Sequence, residues 1–93
     1  MSHSIIVTEI DDKEDEVTSL HMSGSEGMNA LYRELGVPEF NQGTNGDGEA
    51  EIDRELVAAA GEALARQGHH AQAVFLCGVL EFSSSASFDF DFG

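Results

Sequence analysis

The segment at residues 49–67 constrains the fold most, because it is the only long, strongly periodic segment of the chain. Ala, Leu, Glu, Arg and Gln dominate it, and these residues lose little side-chain freedom in a helix. A helix would bring its apolar residues onto one stripe at the spacing i, i+3, i+4, i+7. The stripe consists of Ile52, Leu56, Ala59, Ala60, Ala63 and Leu64. The pattern therefore predicts a core-facing helix over 49–67, with Gly68 just beyond its C-terminus.

Shorter patterns predict the elements that precede this helix. Alternating β-branched and apolar residues in 3–22 predict a β-hairpin whose polar loop is the acidic run at 11–16. Ser23 and Glu26 match a capping box, which predicts a helix over 23–36 that ends at Gly36. Pro38 prevents its continuation, and the Gly- and Asn-rich residues 37–48 form a linker.

The C-terminal part, 71–92, is predicted to supply two more strands. Residues 71–82 are the most apolar run, and their β-branched and aromatic content favours a strand, although a buried helix remains open. Phe88, Phe90 and Phe92 alternate with aspartates, which predicts a half-buried edge strand. These phenylalanines could also dock on a second chain and form a homodimer or an augmented sheet. The chain is thus predicted to be one α+β domain, ββααββ, with about four antiparallel strands and two helices on one face.

Charge restricts the partners that such a domain can bind. The 93 residues include 18 acidic and 4 basic side chains, for a net charge of −14. Nucleic acid and anionic membranes would be repelled, since both are bound through Lys and Arg. A basic protein would be attracted and its encounter rate raised. The same excess of carboxylates is typical of proteins in very salty cytoplasm, where screening removes their mutual repulsion.

The carboxylates that cluster in the sequence are the candidate partner-binding residues. One group lies in the predicted hairpin loop, and the other follows the outer side of the predicted helix. The candidates are Asp11, Asp12, Glu14, Asp15, Glu16, Glu51, Glu55 and Glu62.

No catalytic motif is present, so the sequence predicts neither an enzyme nor a cofactor. Cys77 has no downstream histidine to activate it, and its spacing from His69 and His70 does not fit a zinc site. The segment at 43–54 resembles an EF-hand loop in which Asn45 and Asp47 fit two ligand positions and Glu49 lies nearby. It lacks both anchoring acids, so calcium binding is at most a weak alternative.

Small size, strong acidity and absent catalytic residues favour a non-catalytic inhibitor. It would occupy the basic, nucleic-acid-binding surface of a partner protein. In composition the chain resembles the small acidic inhibitors that phages direct against host defence, anti-CRISPR proteins included, and toxin-neutralising immunity proteins. A single cysteine and the absence of a signal-peptide pattern predict a cytoplasmic location, in the host cell if the chain is phage-encoded. The alternative is a halophile-type domain that acts by self-association or as a subunit.

Overall fold

The computed structural model describes residues 2–10, 12–23, 26–37 and 48–92. The four strands of this part of the chain form one antiparallel sheet, and three helices accompany it. The elements are β1 (Ser2–Glu9), β2 (Asp12–Ser23), α1 (Glu26–Glu34), β3 (Gly48–Asp53), α2 (Arg54–Arg66), α3 (His70–Phe82) and β4 (Ser87–Phe92). The predicted α+β class with a four-stranded antiparallel sheet is confirmed, with a third helix added.

The last strand, β4, lies inside the sheet, whose order is β2-β1-β4-β3. Phe90 of β4 is opposite Val7 of β1 on one side and Ala50 of β3 on the other. Phe88, Phe90 and Phe92 are at most 1% exposed. The prediction of a half-buried edge strand is therefore wrong, and the buried rings are not available to dock on a second chain as the alternative required. The rings are needed in the core, and two neighbouring strands already satisfy the backbone of β4.

The segment at 49–67 is divided between a strand and a helix. Its first residues belong to β3, and α2 begins at Arg54. Glu51 and Asp53 alternate with Ala50 and Ile52, which is the period of a strand. Ile52 is opposite Phe88 and is buried. Pairing with β4 and burial beside its rings therefore prevail over the helix propensity of these few residues.

The stripe of α2 that faces the core also differs from the predicted one. The buried residues of α2 are Val57, Ala60, Gly61 and Leu64. Leu56, which the sequence pattern placed in the core, is 39% exposed. Both sets fit helical spacing, so the sequence offered two overlapping stripes, and the packing of α2 against α3 and α1 selects the second.

Residues 70–82 form the helix α3, so the preference for a strand at 71–82 is wrong. Its buried positions follow a helical period. They are Gln72, Ala73, Phe75, Leu76 and Val79. The β3 strand already pairs with the free side of β4, so this apolar run covers the sheet as a helix.

The core lies between the helices and one face of the sheet. The ring centroid of Tyr32 in α1 is 5.5 Å from that of Phe92, and the ring centroid of Phe75 in α3 is 6.5 Å from that of Phe90. Val57 of α2 belongs to the same buried cluster. All three helices therefore contact the same core as the β4 phenylalanines, and the layer they form covers one face of the sheet.

Two glycines end helices as the sequence predicts. Gly36 and Gly68 have φ values of 75° and 87°. After α1, the Val37 N–H donates to the Tyr32 carbonyl at 2.9 Å. After α2, the His69 N–H donates to the Leu64 carbonyl at 2.9 Å. These bonds are those of a Schellman ending, which needs a left-handed residue that glycine adopts without strain.

Candidate protein-binding face

The sheet face opposite the helices carries most of the carboxylates of the strands. Because side chains alternate along a strand, the neighbours of the buried Val7, Ile52 and Phe90 point to this other side. We call it the open face. Its described side chains are Ser4, Ile6, Thr8, Glu16, Ser19, His21, Glu49, Glu51, Asp53, Ser87, Asp89 and Asp91.

Strand register arranges these side chains in rows across the sheet. In one row Glu16 of β2 is opposite Thr8, and Thr8 is opposite Asp89, which is opposite Glu51 of β3. In the next row Asp91 is opposite Glu49. Directly opposite side chains have Cβ atoms about 4.5–5.5 Å apart, and like charges there are destabilising. The register therefore brings carboxylates together at a cost in stability.

Exposure differs within the open face. Glu16, Glu51 and Asp91 are exposed, whereas Thr8 and Asp89 in the middle of the sheet are only 8% and 7% exposed. A partner would therefore meet the carboxylates of β3 and of the β4 end first, with Asp89 beneath them.

The arginines among the described residues lie in the helices. Arg33 is in α1 and its Nε is 3.9 Å from a carboxylate oxygen of Glu34. Arg54 begins α2, and its guanidinium donates to backbone carbonyls at the end of α3 and in the following loop. Arg66 lies in the last turn of α2. The positive charge of these side chains is thus placed in the helical layer.

The structure separates the acidic residues that the sequence grouped on one helix. Glu51 lies on the open face through β3, whereas Glu55 and Glu62 are exposed on α2 in the helical layer. The predicted row therefore does not exist as one surface, because the chain changes from strand to helix between Glu51 and Glu55.

The predicted acidic loop at 11–16 is largely strand. β2 begins at Asp12, which is opposite Glu9, and Glu16 is opposite Thr8 with an irregular register between them. For Asp12, Glu14 and Asp15 the structure describes only the backbone, and Asp11 lies outside the described residues. Glu16 is the member of this group that can be assigned to the open face.

Asp53, Asp89 and Asp91 complete the open face, and sequence reasoning did not include them among the partner-binding residues. The signal was the period of two in residues 49–53 and 88–92, where acidic residues alternate with residues that face the core. Two such segments predict two strands with one acidic face each, and antiparallel pairing brings those faces together.

The residues named for a weak calcium site are only partly described. Asn45 and Asp47 lie outside the described residues, and Glu49 is on the open face. Within the described ranges there is no group of three or more His, Cys, Asp or Glu side chains placed to hold a metal ion.

An apolar groove of about 560 Å³ lies between β2 and α3. We call it the β2–α3 groove. Its lining includes Thr18 and Leu20 from the strand and Val74 and Phe82 from the helix. Val74 and Phe82 are 69% and 71% exposed, so apolar surface stays in contact with water on this side of α3.

No protein-family model, curated protein or solved structure matches this chain. Each helix of the described residues is too short or too polar to cross a lipid bilayer.

Proposed function

We propose that this chain is a small, non-catalytic inhibitor that occupies the basic, nucleic-acid-binding surface of a partner protein in place of nucleic acid. The observation that carries the proposal is the acidic open face, formed on β3 and β4 by Glu49, Glu51, Asp53, Asp89 and Asp91. Carboxylates held on a sheet would present charge to a cationic surface without the entropic cost of ordering the backbone.

The density of charge on the open face supports this choice of partner. The four exposed carboxylates of β3 and β4, which are Glu49, Glu51, Asp53 and Asp91, lie along about 13 Å of strand at a rise of about 3.3 Å per residue. This is about one charge per 3.3 Å, close to the spacing of about 3.4 Å in one DNA strand. A surface that binds phosphates at that spacing would meet a comparable density of negative charge.

The placement of like charges gives a second argument. Glu51 and Asp89 are directly opposite each other, where exchange of either for a neutral residue would relieve repulsion. Sequences depart from locally favourable choices mainly where function requires it. A basic partner would supply the positive charge that turns this repulsion into attraction.

Binding and its competition by nucleic acid test the proposal. The chain is immobilised and exposed to a nuclease-treated cell lysate, and captured proteins are then challenged with duplex DNA and with increasing salt. We expect DNA to displace the partner, and affinity to fall steeply with salt because charge contacts are screened. Capture that neither DNA nor salt affects would refute nucleic-acid mimicry.

A charge-matched pair of variants locates the contact. The open-face variant carries Glu51→Gln, Asp53→Asn and Asp91→Asn, and the helix variant carries Glu26→Gln, Glu55→Gln and Glu62→Gln. Both lose three negative charges, so a non-specific effect of net charge would be equal. We expect the open-face variant to lose at least tenfold more affinity. If the two variants lost affinity equally, the surface that contacts the partner would include α2, as the sequence alone suggested.

A halophile-type domain is the second candidate, and the like-charge pair Glu51 and Asp89 favours it too, because salt would relieve that repulsion. This domain would act by self-association or as a subunit of an assembly. It predicts unfolding at low salt and a melting temperature that rises steeply with salt. An inhibitor of a basic protein needs to be folded at ordinary ionic strength, so a melting curve against salt separates the two.

A further inference from the structure

The two edges of the sheet differ in their protection against pairing with another strand. At one edge, β3 carries Glu49, Glu51 and Asp53 among its six residues. At the other edge, β2 is charged in its first part, Asp12 to Glu16, but carries no Asp, Glu, Lys or Arg in 17–23. Charged side chains are the usual means of protecting an edge strand. Among the described strands, the second part of β2 is therefore an edge without this protection against a further strand.

The β2–α3 groove lies beside this unprotected part of β2. Thr18, Ser19 and Leu20 line the groove and belong to the uncharged half of the strand. The opposite wall is α3, whose Val74 and Phe82 are more than two-thirds exposed. A strand added to this edge would place every second side chain toward α3.

We propose that an extended segment of the basic partner protein pairs with residues 17–22 of β2 and inserts apolar side chains into the β2–α3 groove. This inference rests on the proposed function and adds the binding mode: strand addition with side-chain pockets, in which main-chain hydrogen bonds give affinity and alternate side chains give specificity. The segment has apolar and basic residues in alternation.

Charge explains why the alternate residues are basic. Side chains of the added strand that point away from α3 would continue the open face beside Glu16 of β2. At the groove itself Glu81 of α3 is exposed and forms part of the lining. Lys or Arg on the side away from α3 would be attracted to Glu16, Glu81 adds negative charge at the groove, and the net charge of −14 adds a long-range attraction.

The same charge disfavours a second copy of this chain as the occupant. Two copies of the chain, each with a net charge of −14, would meet at an edge flanked by Glu16 and Glu81, and their repulsion acts over about 8 Å at physiological ionic strength. The groove thus combines an apolar interior with an acidic surrounding, which selects an apolar segment that carries positive charge.

The probe is a synthetic peptide in which valine and lysine alternate, labelled for fluorescence anisotropy. Two control peptides accompany it: alternating serine and lysine, with the same charge, and a valine–lysine peptide rearranged to helical spacing. We expect the alternating valine–lysine peptide to bind at least tenfold more tightly than either control. Amide exchange should slow at residues 17–22 of β2 and remain unchanged in β3.

Variants of the groove test the contact without altering net charge. Val74→Ser with Phe82→Ser removes apolar surface that is exposed in the free protein, so the fold should be retained, and we expect at least tenfold weaker peptide binding. Gly78→Leu fills the groove and should also weaken binding. Gly78→Ala is its control, because a Cβ at Gly78 would be no closer than 3.7 Å to the Phe82 ring, an ordinary contact distance.

The outcomes separate this inference from the function on which it rests. If the serine–lysine peptide binds as well as the valine–lysine peptide, binding is by charge alone. Binding of apolar side chains in the groove is then refuted, and the proposal of an acidic inhibitor stands. Slower amide exchange in β3 would also refute binding at the groove alone. So would the absence of peptide binding by a chain whose captured partner is displaced by DNA. A concentration-dependent dimer that Phe82→Ser abolishes would replace the basic segment by a second copy.

Discussion

Arg54 joins three parts of the fold, and its removal should cost a large fraction of the stability. Its Nη1 donates to the carbonyl oxygens of Ser83 at 2.6 Å and Ser85 at 3.2 Å, and its Nη2 donates to that of Leu80 at 2.8 Å. Its backbone N–H also donates to the Ala86 carbonyl at 2.8 Å. One side chain therefore holds the end of α3 and the loop that leads into β4.

The magnitude follows from the two short bonds of the guanidinium. A hydrogen bond from a charged group contributes about 1.5–3 kcal/mol, and Arg54 is partly buried, so the lower value applies to each short bond. Arg54→Met keeps the apolar stem and removes every donor, which should cost about 3 kcal/mol in total. Domains of this size have unfolding free energies of about 5–15 kcal/mol, so the loss is substantial.

Urea unfolding followed by circular dichroism measures this loss. With a slope of about 1–2 kcal/mol per M, the midpoint should fall by about 1.5–3 M. Arg66→Met is the matched control: it removes the same charge from an exposed position in the last turn of α2 and should cost about 0.5 kcal/mol. Equal losses for the two variants would mean that Arg54 acts only through its charge and would refute the hydrogen-bonding role.

Two further changes have predictable signs. Burial raises the pKa of Tyr32 above its ordinary value of 10.0, so its contribution to stability is present below about pH 10 and is lost as pH rises through the folded-state pKa. Tyr32 is the only tyrosine and tryptophan is absent, so the absorbance of tyrosinate should show a titration midpoint above pH 10.0. Tyr32→Phe should remove this part of the pH dependence of unfolding. A midpoint at or below pH 10.0 would contradict the burial argument. Glu51→Gln relieves repulsion with Asp89 and should stabilise by about 0.2–1 kcal/mol at low salt, with little effect at 1 M salt. Glu55→Gln, in the first turn of α2, should instead destabilise slightly, and a shift of the same sign in both variants would show that only net charge matters.

Local signals in the sequence were sufficient for the elements that depend on neighbouring residues. The hairpin of β1 and β2 and the helix ends at Gly36 and Gly68 were predicted from turn chemistry and alternation, and the structure has them. The four-stranded antiparallel sheet was predicted as well, although one of its strands lies at a different place in the chain.

Residues 49–53 could not be assigned locally, because they fit two periods at once. Ile52 belongs to a helical stripe with Leu56 and to a strand face with Ala50. The choice is made by β4, which is more than thirty residues away and whose Phe88 and Phe90 are opposite Ile52 and Ala50. The sequence of one segment does not show which distant strand it pairs with.

Residues 71–82 were ambiguous for a different reason, which concerns the candidate site itself. Val74 and Phe82 are apolar although they are exposed, so α3 is apolar on both its core side and part of its outer side. This removes the contrast between an apolar and a polar side, from which a helical period is recognised. The feature that misled the secondary-structure prediction is thus the same feature that forms the β2–α3 groove.

Net charge and the β2–α3 groove are best understood together. An uncharged edge strand beside exposed apolar side chains is a known hazard for aggregation, and charged side chains such as the three acidic residues of β3 protect an edge. The edge at 17–23 of β2 lacks that local protection, but every copy of the chain carries −14. Repulsion between copies can therefore replace local charges as the protection of this edge. Under the proposed binding mode, this edge stays available to a segment of opposite charge. Acidity would then have two consequences at once, since it keeps like chains apart and admits a basic strand.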